Sequence, residues 1–199
     1  MSENPDLIFE DALLLIGSGN SEQATELLGK ACCLGVGAAC IELARIRCES
    51  GDHLASQKLL DGASELADAR RNSELHRKLS LAYRIMLGSG DRSQQDSRSL
   101  HHLEAAATLG SLEDQESLAH FFHFGLNGVP QDTALFERWA QLAGEGGSEL
   151  ATCEYVEHLL SLRREVPREW VDRVLACDIR DSLVRKVQTR LRRAGYPKA

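Results

Sequence analysis

Two histidine pairs are the first residues in this chain whose type and spacing could do chemistry: His101-His102 and His120-x-x-His123. A spacing of three puts His120 and His123 on one face of a helix, and Glu116 lies one turn before His120. Imidazole and carboxylate are donors that hold zinc, manganese or iron, so this region offers a metal-dependent hydrolase as one reading. No further ligand stands at a fixed spacing to complete the set. Histidines that face solvent or a partner are the plainer reading, and neither metal nor cofactor is assigned. Six cysteines (Cys32, Cys33, Cys40, Cys48, Cys153, Cys177) include no C-x-x-C pair and no zinc spacing with histidine. As reduced thiols they pack like small hydrophobes. Gly35-Val36-Gly37-Ala38-Ala39-Cys40 has the outline of a truncated dinucleotide fingerprint, but that motif needs a preceding strand and a βαβ unit. Here a helical pattern precedes it, and a turn of small residues explains it better. With no G-x-S-x-G elbow, H-E-x-x-H or phosphate loop, catalysis has no constellation, and the chain reads as a non-enzyme.

The elements that carry these residues are helical throughout. Ala and Leu recur at spacings of three and four, β-branched residues are sparse, and no stretch alternates over a strand's length. Glycines close the apolar-periodic segments as helix C-caps do, at Gly35, Gly51, Gly88 and Gly90, Gly110, Gly125, Gly128, Gly146-Gly147 and Gly195. Prolines sit at junctions. The pattern predicts helices near 5–17, 21–34, 37–50, 53–67, 73–88, 94–109, 112–125, 132–145, 148–163, 168–177 and 180–194. The chain has 199 residues, 43% hydrophobic and 27% charged, enough for one domain to bury a sizeable core without metal or disulfide. Its N-terminal apolar stretch has no preceding Lys or Arg and is interrupted by Glu10 and Asp11, so a signal peptide and a membrane span are not expected. A cytoplasmic protein is.

Self-similarity organises the helices. Leu118-Ala119-x-x-Phe122-x-x-Gly125 repeats Leu81-Ala82-x-x-Ile85-x-x-Gly88 at an offset of 37 residues. Asp132, Trp139 and Gly146 repeat Asp96, Leu103 and Gly110 at 36. Ala31-Cys32-Cys33-Leu34-Gly35 and Leu43-Ala44 match Ala106-Ala107-Thr108-Leu109-Gly110 and Leu118-Ala119 at 75, two periods. Two helices per period of this length make a helical solenoid, whose units share one core because none can bury its apolar face alone.

The run Leu118-Ala119-x-x-Phe122-x-x-Gly125-x-x-Gly128-Val129-Pro130-Gln131-Asp132, followed by Trp139-x-x-x-Ala143 and Gly146-Gly147, resembles the Sel-one-like repeat, a tetratricopeptide-like α-solenoid unit. The match is strongest over 105–147, good over 73–110, partial over 21–50 and weak over 51–67. The best repeats are 73–110 and 111–147 within one repeat domain, 1–199, and 148–199 keeps the helix-pair rhythm without the long loop, as a capping unit would. The resemblance implies an all-α, right-handed superhelix of about five repeats whose first helices line a concave binding surface. It implies a protein-interaction module, an adaptor or assembly factor, and in a narrower form an immunity protein or loading chaperone for a secreted antibacterial effector. Cys32 and Cys40 share the spacing of the bridging cysteines in the secreted branch of this family. The missing export signal favours a reduced pair here, and Cys33 is a competing thiol.

The Leu-Ala pairs set a register in which Leu43, Leu81 and Leu118 point to the core. The slot after each pair then reads Arg45, Tyr83, His120 and Glu157, and the slot three further on reads Cys48, Met86, His123 and Leu160. Charge, aromatic and imidazole in one repeated slot suit a partner-binding groove, since Tyr and Arg anchor many interfaces. Arg45, Tyr83, Met86, His120, His123 and Glu157 are therefore the candidate contacts. Trp139 takes the repeat's aromatic position and belongs to the core, while Trp170, just after Pro167, suits either a core or an exposed place. Charge points the same way. Net charge is −7, yet residues 180–199 carry seven basic groups and one acid, leaving 16 basic and 29 acidic groups on residues 1–179. A body of net −13 argues against nucleic acid and for a protein partner with a basic surface. The helix near 180–194 places Leu183, Val184, Val187 and Leu191 on one face and reads as a cap on the last helix pair. Oligomeric state is left open.

Overall fold

The computed structural model describes residues 4–86, 92–126, 128–177 and 181–196; the loop glycines Gly88 and Gly90 and the tail residues Arg180, Pro197 and Lys198 lie outside them. Among the described residues there are eleven helices and no strand. They are α1 (Pro5–Gly17), α2 (Ser21–Cys33), α3 (Gly37–Glu49), α4 (His53–Arg70), α5 (Ser73–Ile85), α6 (Arg92–Thr108), α7 (Leu112–Phe124), α8 (Thr133–Glu145), α9 (Glu149–Ser161), α10 (Arg168–Ala176) and α11 (Ser182–Arg193). Each expected helix is present. Starts are fixed by side-chain caps: Asp52 Oδ1 accepts from the Ala55 amide at 3.1 Å, Asn72 from Leu75 at 3.0 Å, Asp132 from Leu135 at 2.9 Å and Ser148 from Ala151 at 3.0 Å. α4 runs one turn beyond its expected end and stops where Arg71 turns left-handed (φ 49°).

Contacts divide the chain into two compact units, Met1–Ser111 and Leu112–Ala199. In the first unit each helix packs on its successor from α1 to α6, and α3 also packs on α5. That skip of one helix is how stacked helix pairs share a core. Gly37 explains the second glycine of the G-x-G turn: a Cβ there would stand 2.4 Å from Leu75 Cδ2, so glycine lets α3 approach α5 without displacing that side chain. Gly35 supplies a left-handed residue (φ 89°) that ends α2. One cluster joins Ile8, Ala12, Leu28, Ala31, Ala39 and Leu43; another joins Leu60, Ala63, Leu75, Leu79, Ala82 and Tyr83.

Two sequence expectations are corrected in this unit. Leu81 is 46% exposed, although Leu43 and Leu118 are buried. Leu79 and Tyr83 take the core positions of α5, which turns Leu81 and Ile85 outward. Cys32 and Cys40 are joined in a disulfide rather than reduced, because the end of α2 and the start of α3 bring their Cα atoms to 4.8 Å, within bridging range. The bridge ties α2 to α3 across the turn that Gly35 makes. Cys33 stays exposed and free.

A polar pair is buried between α5 and α6. His76 Nδ1 and His102 Nδ1 lie 3.0 Å apart, so one ring must carry the proton and donate it to the other. Both side chains are almost fully buried. Burial, reinforced by His76 and His101, pushes His102 down to about 4. Burial also lowers His76, against Asp68 at 3.5 Å from its Nε2.

In the second unit α7 packs on α8, α8 on α9, and α9 on both α10 and α11. Phe136, Leu118, Leu159, Val156, Val171 and Val187 form its most buried layer. Trp139 and Trp170 are both buried, which decides the place of Trp170. Val184, Val187 and Leu191 turn the apolar face of α11 inward, while Lys186 and Arg190 reach Glu157 of α9 at 2.9 and 2.6 Å.

Candidate partner-binding cleft

Within the second unit, α7 and α9 flank a cleft of about 220 Å³. The helical repeat of α7 puts Glu116, Ser117, His120 and Phe121 along one wall. Leu150, Ala151 and Glu154 of α9 form the other. Phe121 and the exposed Leu150 give it an apolar lining, and polar groups stand at its rim. His120 Nδ1 lies 3.8 Å from Glu154 Oε1, a charge pair only when the imidazole is protonated. Glu154 is mostly buried, with a side chain 16% exposed. Burial raises its carboxyl above the usual range, nearby Glu116 adds to the rise, and His120 opposes it. A cation placed here would lower the cost of keeping that carboxylate charged.

His120 is the expected contact that lines this cleft. His123, one turn on, is half-buried with its ring 4.3 Å from Phe136 and 6.0 Å from His158. Burial lowers its pKa, as do His158 and His120. It serves the packing of α7 on α8. Glu157 sits one turn beyond Glu154 but is engaged by Lys186 and Arg190. The three expected contacts of the first unit are placed differently. Arg45 is held on its own helix by Glu42 at 3.0 Å and Glu49 at 2.7 Å. Tyr83 is buried at 4% exposure, stacked on His102 with its hydroxyl donating to Asp61 Oδ1 at 3.3 Å. It is a core residue, and the reading of Tyr83 as an exposed anchor does not survive its burial. Met86 is half-buried at the core edge, where the Ser56 hydroxyl points at its sulfur from 3.9 Å.

Glu154, Phe121 and Leu150 were missed by the sequence reading. The slot before the Leu-Ala pairs reads Glu42, Ser80 and Ser117, and Glu154 holds the corresponding place before Tyr155-Val156; a polar residue recurring there is the signal that could have found Glu154. No three His, Cys, Asp or Glu side chains converge as a metal set among the described residues. No described helix is long and apolar enough to cross a membrane.

The helix-pair architecture is that of a repeat protein, and solved structures show which kind. A protective antigen present in uropathogenic Escherichia coli strains, which displays an SLR fold, superposes with a TM-score of 0.58 over 98% of this chain at 17% identity. A Sel1 repeat protein from Oxalobacter formigenes superposes with a TM-score of 0.56 over 88% of this chain at 18% identity. The present chain covers 43% of the first protein's length and 75% of the second's. No family model and no curated protein matches the sequence. The chain has the all-α solenoid fold of the Sel1-like repeat proteins.

Proposed function

We propose that this protein is a non-enzymatic interaction module that holds a protein partner with a basic surface, with the cleft between α7 and α9 as its principal contact. The observation that carries this reading is Glu154: a mostly buried carboxylate in an apolar-walled cleft, beside Glu116 and with one imidazole as counter-group. A Lys or Arg side chain would lay its methylene stem on Phe121 and Leu150 and bring its charge to the two glutamates. Rigid stacked helices present such a site at low entropic cost. The acidic body supports a basic protein over nucleic acid as partner, and it would steer the encounter. An adaptor or assembly role fits a module without catalytic groups, and the reading places it in the cytoplasm.

A photo-crosslinking phenylalanine analogue at Leu150, expressed in the native source, tests this. The expected product is a discrete crosslink to a protein, lost in Glu154→Lys and Glu116→Lys while helicity is retained. A crosslink indifferent to both charge reversals would overturn the assignment.

A further inference from the structure

Ile8 and Ala12 turn one face of α1 onto Leu28 and Ala31 of α2 and Ala39 and Leu43 of α3. The opposite face carries Leu7, Glu10, Asp11 and Leu14, a stripe spaced by three, four and seven residues. All four are exposed, Leu7 at 56% and Leu14 at 73%. No Lys or Arg occurs in the sequence before Lys30, so α1 carries acids and no base. Leucines on either side of a carboxylate pair suit a cation held on an aliphatic stem. In the second unit, α11 has the opposite character: its residues Ser182–Arg193 include five basic side chains and no acid. Val184, Val187 and Leu191 face inward, and Lys186 and Arg190 are taken up by Glu157. Arg192 and Arg193 stand on the exposed side as neighbours in sequence, as Glu10 and Asp11 do on α1.

We propose that copies of this chain associate through these two faces, α1 of one copy receiving α11 of another. Arginine stems cover Leu7 and Leu14, and their guanidinium groups reach Glu10 and Asp11. The occupant is a second copy because the chain itself supplies the complement: a helix of acids without a base meets a helix of bases without an acid. Contact between like faces is disfavoured, since α1 on α1 sets carboxylates together and α11 on α11 sets guanidinium groups together. The association therefore joins unlike faces, and each copy offers one of each. Exposed ion pairs are weak singly, so it is reversible and sensitive to salt. None of its residues lines the cleft between α7 and α9, so it is a surface separate from the proposed partner site.

Sedimentation velocity of the full chain over a concentration series is the test, at about 0.1 M and about 1 M salt, where charges act over roughly 10 and 3 Å. The expected result is a mean mass that rises with concentration in the lower salt and returns to monomer in the higher. The double variants Glu10→Lys/Asp11→Lys and Arg192→Ala/Arg193→Ala should each stay monomeric. Mixed together they should form a one-to-one dimer, since the first keeps α11 intact and the second keeps α1. That recovery also shows that both variants are folded. Three results would overturn the proposal: a monomer at every concentration in the lower salt, self-association that survives in either double variant, or a mixture of the two that remains monomeric.

Discussion

Acid should loosen the first unit selectively through the buried imidazole pair. An unfolded histidine titrates near its ordinary 6.5, while His102 in place titrates at about 4. Its folded value is the lower one, so its contribution is fully present above pH 6.5 and is lost as pH falls from 6.5 towards 4. The full difference corresponds to roughly 3 kcal/mol, of which about 2 kcal/mol is gone at pH 5. His76 is shifted in the same direction and adds to the loss, while Asp68 near its Nε2 tempers it. Around the pair stand His101, Tyr83 and Arg98, of which only Arg98 is permanently charged; with His101 it pushes His102 downward. Geometry gives the same sign. Two protonated rings 3.0 Å apart would present two donors and no acceptor, so the second proton removes the hydrogen bond as well as adding repulsion.

The assay is hydrogen exchange of peptides from α5 and α6 in wild-type protein and His102→Gln, at pH 7.5 and 5 with intrinsic rates corrected. Both tryptophans, Trp139 and Trp170, lie in the second unit, so their fluorescence reports that unit separately. Wild-type opening energy in α5 and α6 should fall by about 2 kcal/mol more than that of His102→Gln, with the tryptophan signal unchanged. Parallel pH dependences in the two proteins would refute the reasoning.

Four further outcomes are expected. Glu157→Ala frees Lys186 and Arg190 and should cost about 1 kcal/mol, since partly exposed pairs are weak singly; faster exchange confined to α11 would show it. Gly37→Ala pushes a Cβ onto Leu75 and should cost about 1–3 kcal/mol in urea unfolding. Gly29→Ala, in open space within α2, should instead stabilise by about 0.5–1 kcal/mol. Cys32 and Cys40 should stay unmodified when the purified protein is unfolded in an alkylating agent and become alkylated only after a reductant is added, and alkylation of both without reductant would refute the bridge.

The helices were legible because many of their boundaries rest on local chemistry: an Asp, Asn or Ser accepting from its own helix, as at α4, α5, α8 and α9, or a glycine able to turn left-handed, as after α2. Facing is a tertiary property and was read less well. The Leu-Ala register holds at Leu43 and Leu118 and fails at Leu81, since the rotation of α5 is set by what Tyr83 finds beneath it: the His102 ring and the Asp61 carboxylate. Neither partner is visible from α5's own sequence. The same limit hid the histidine pair, whose members are 26 residues apart. At Cys32 and Cys40 the spacing was informative, but an argument from compartment was allowed to outweigh it.

What separates the cleft from the other candidate contacts is the standing of each charge before a partner arrives. Arg45 already has two carboxylates within 3.0 Å, and Glu157 has two cations within 2.9 Å. A partner engaging either must displace an existing pair, so its gain is the difference between two similar interactions. Glu154 faces an exposed imidazole at 3.8 Å and a second carboxylate close enough to raise its pKa. A permanent cation from outside therefore replaces a weak counter-group, relieves carboxylate repulsion and compensates burial already imposed by folding. On the proposed reading, binding is salt-dependent and weaker in acid, because burial and Glu116 raise the Glu154 carboxyl and favour its neutral form. A contact centred on Arg45 would show neither the acid loss nor the sensitivity to Glu154→Gln.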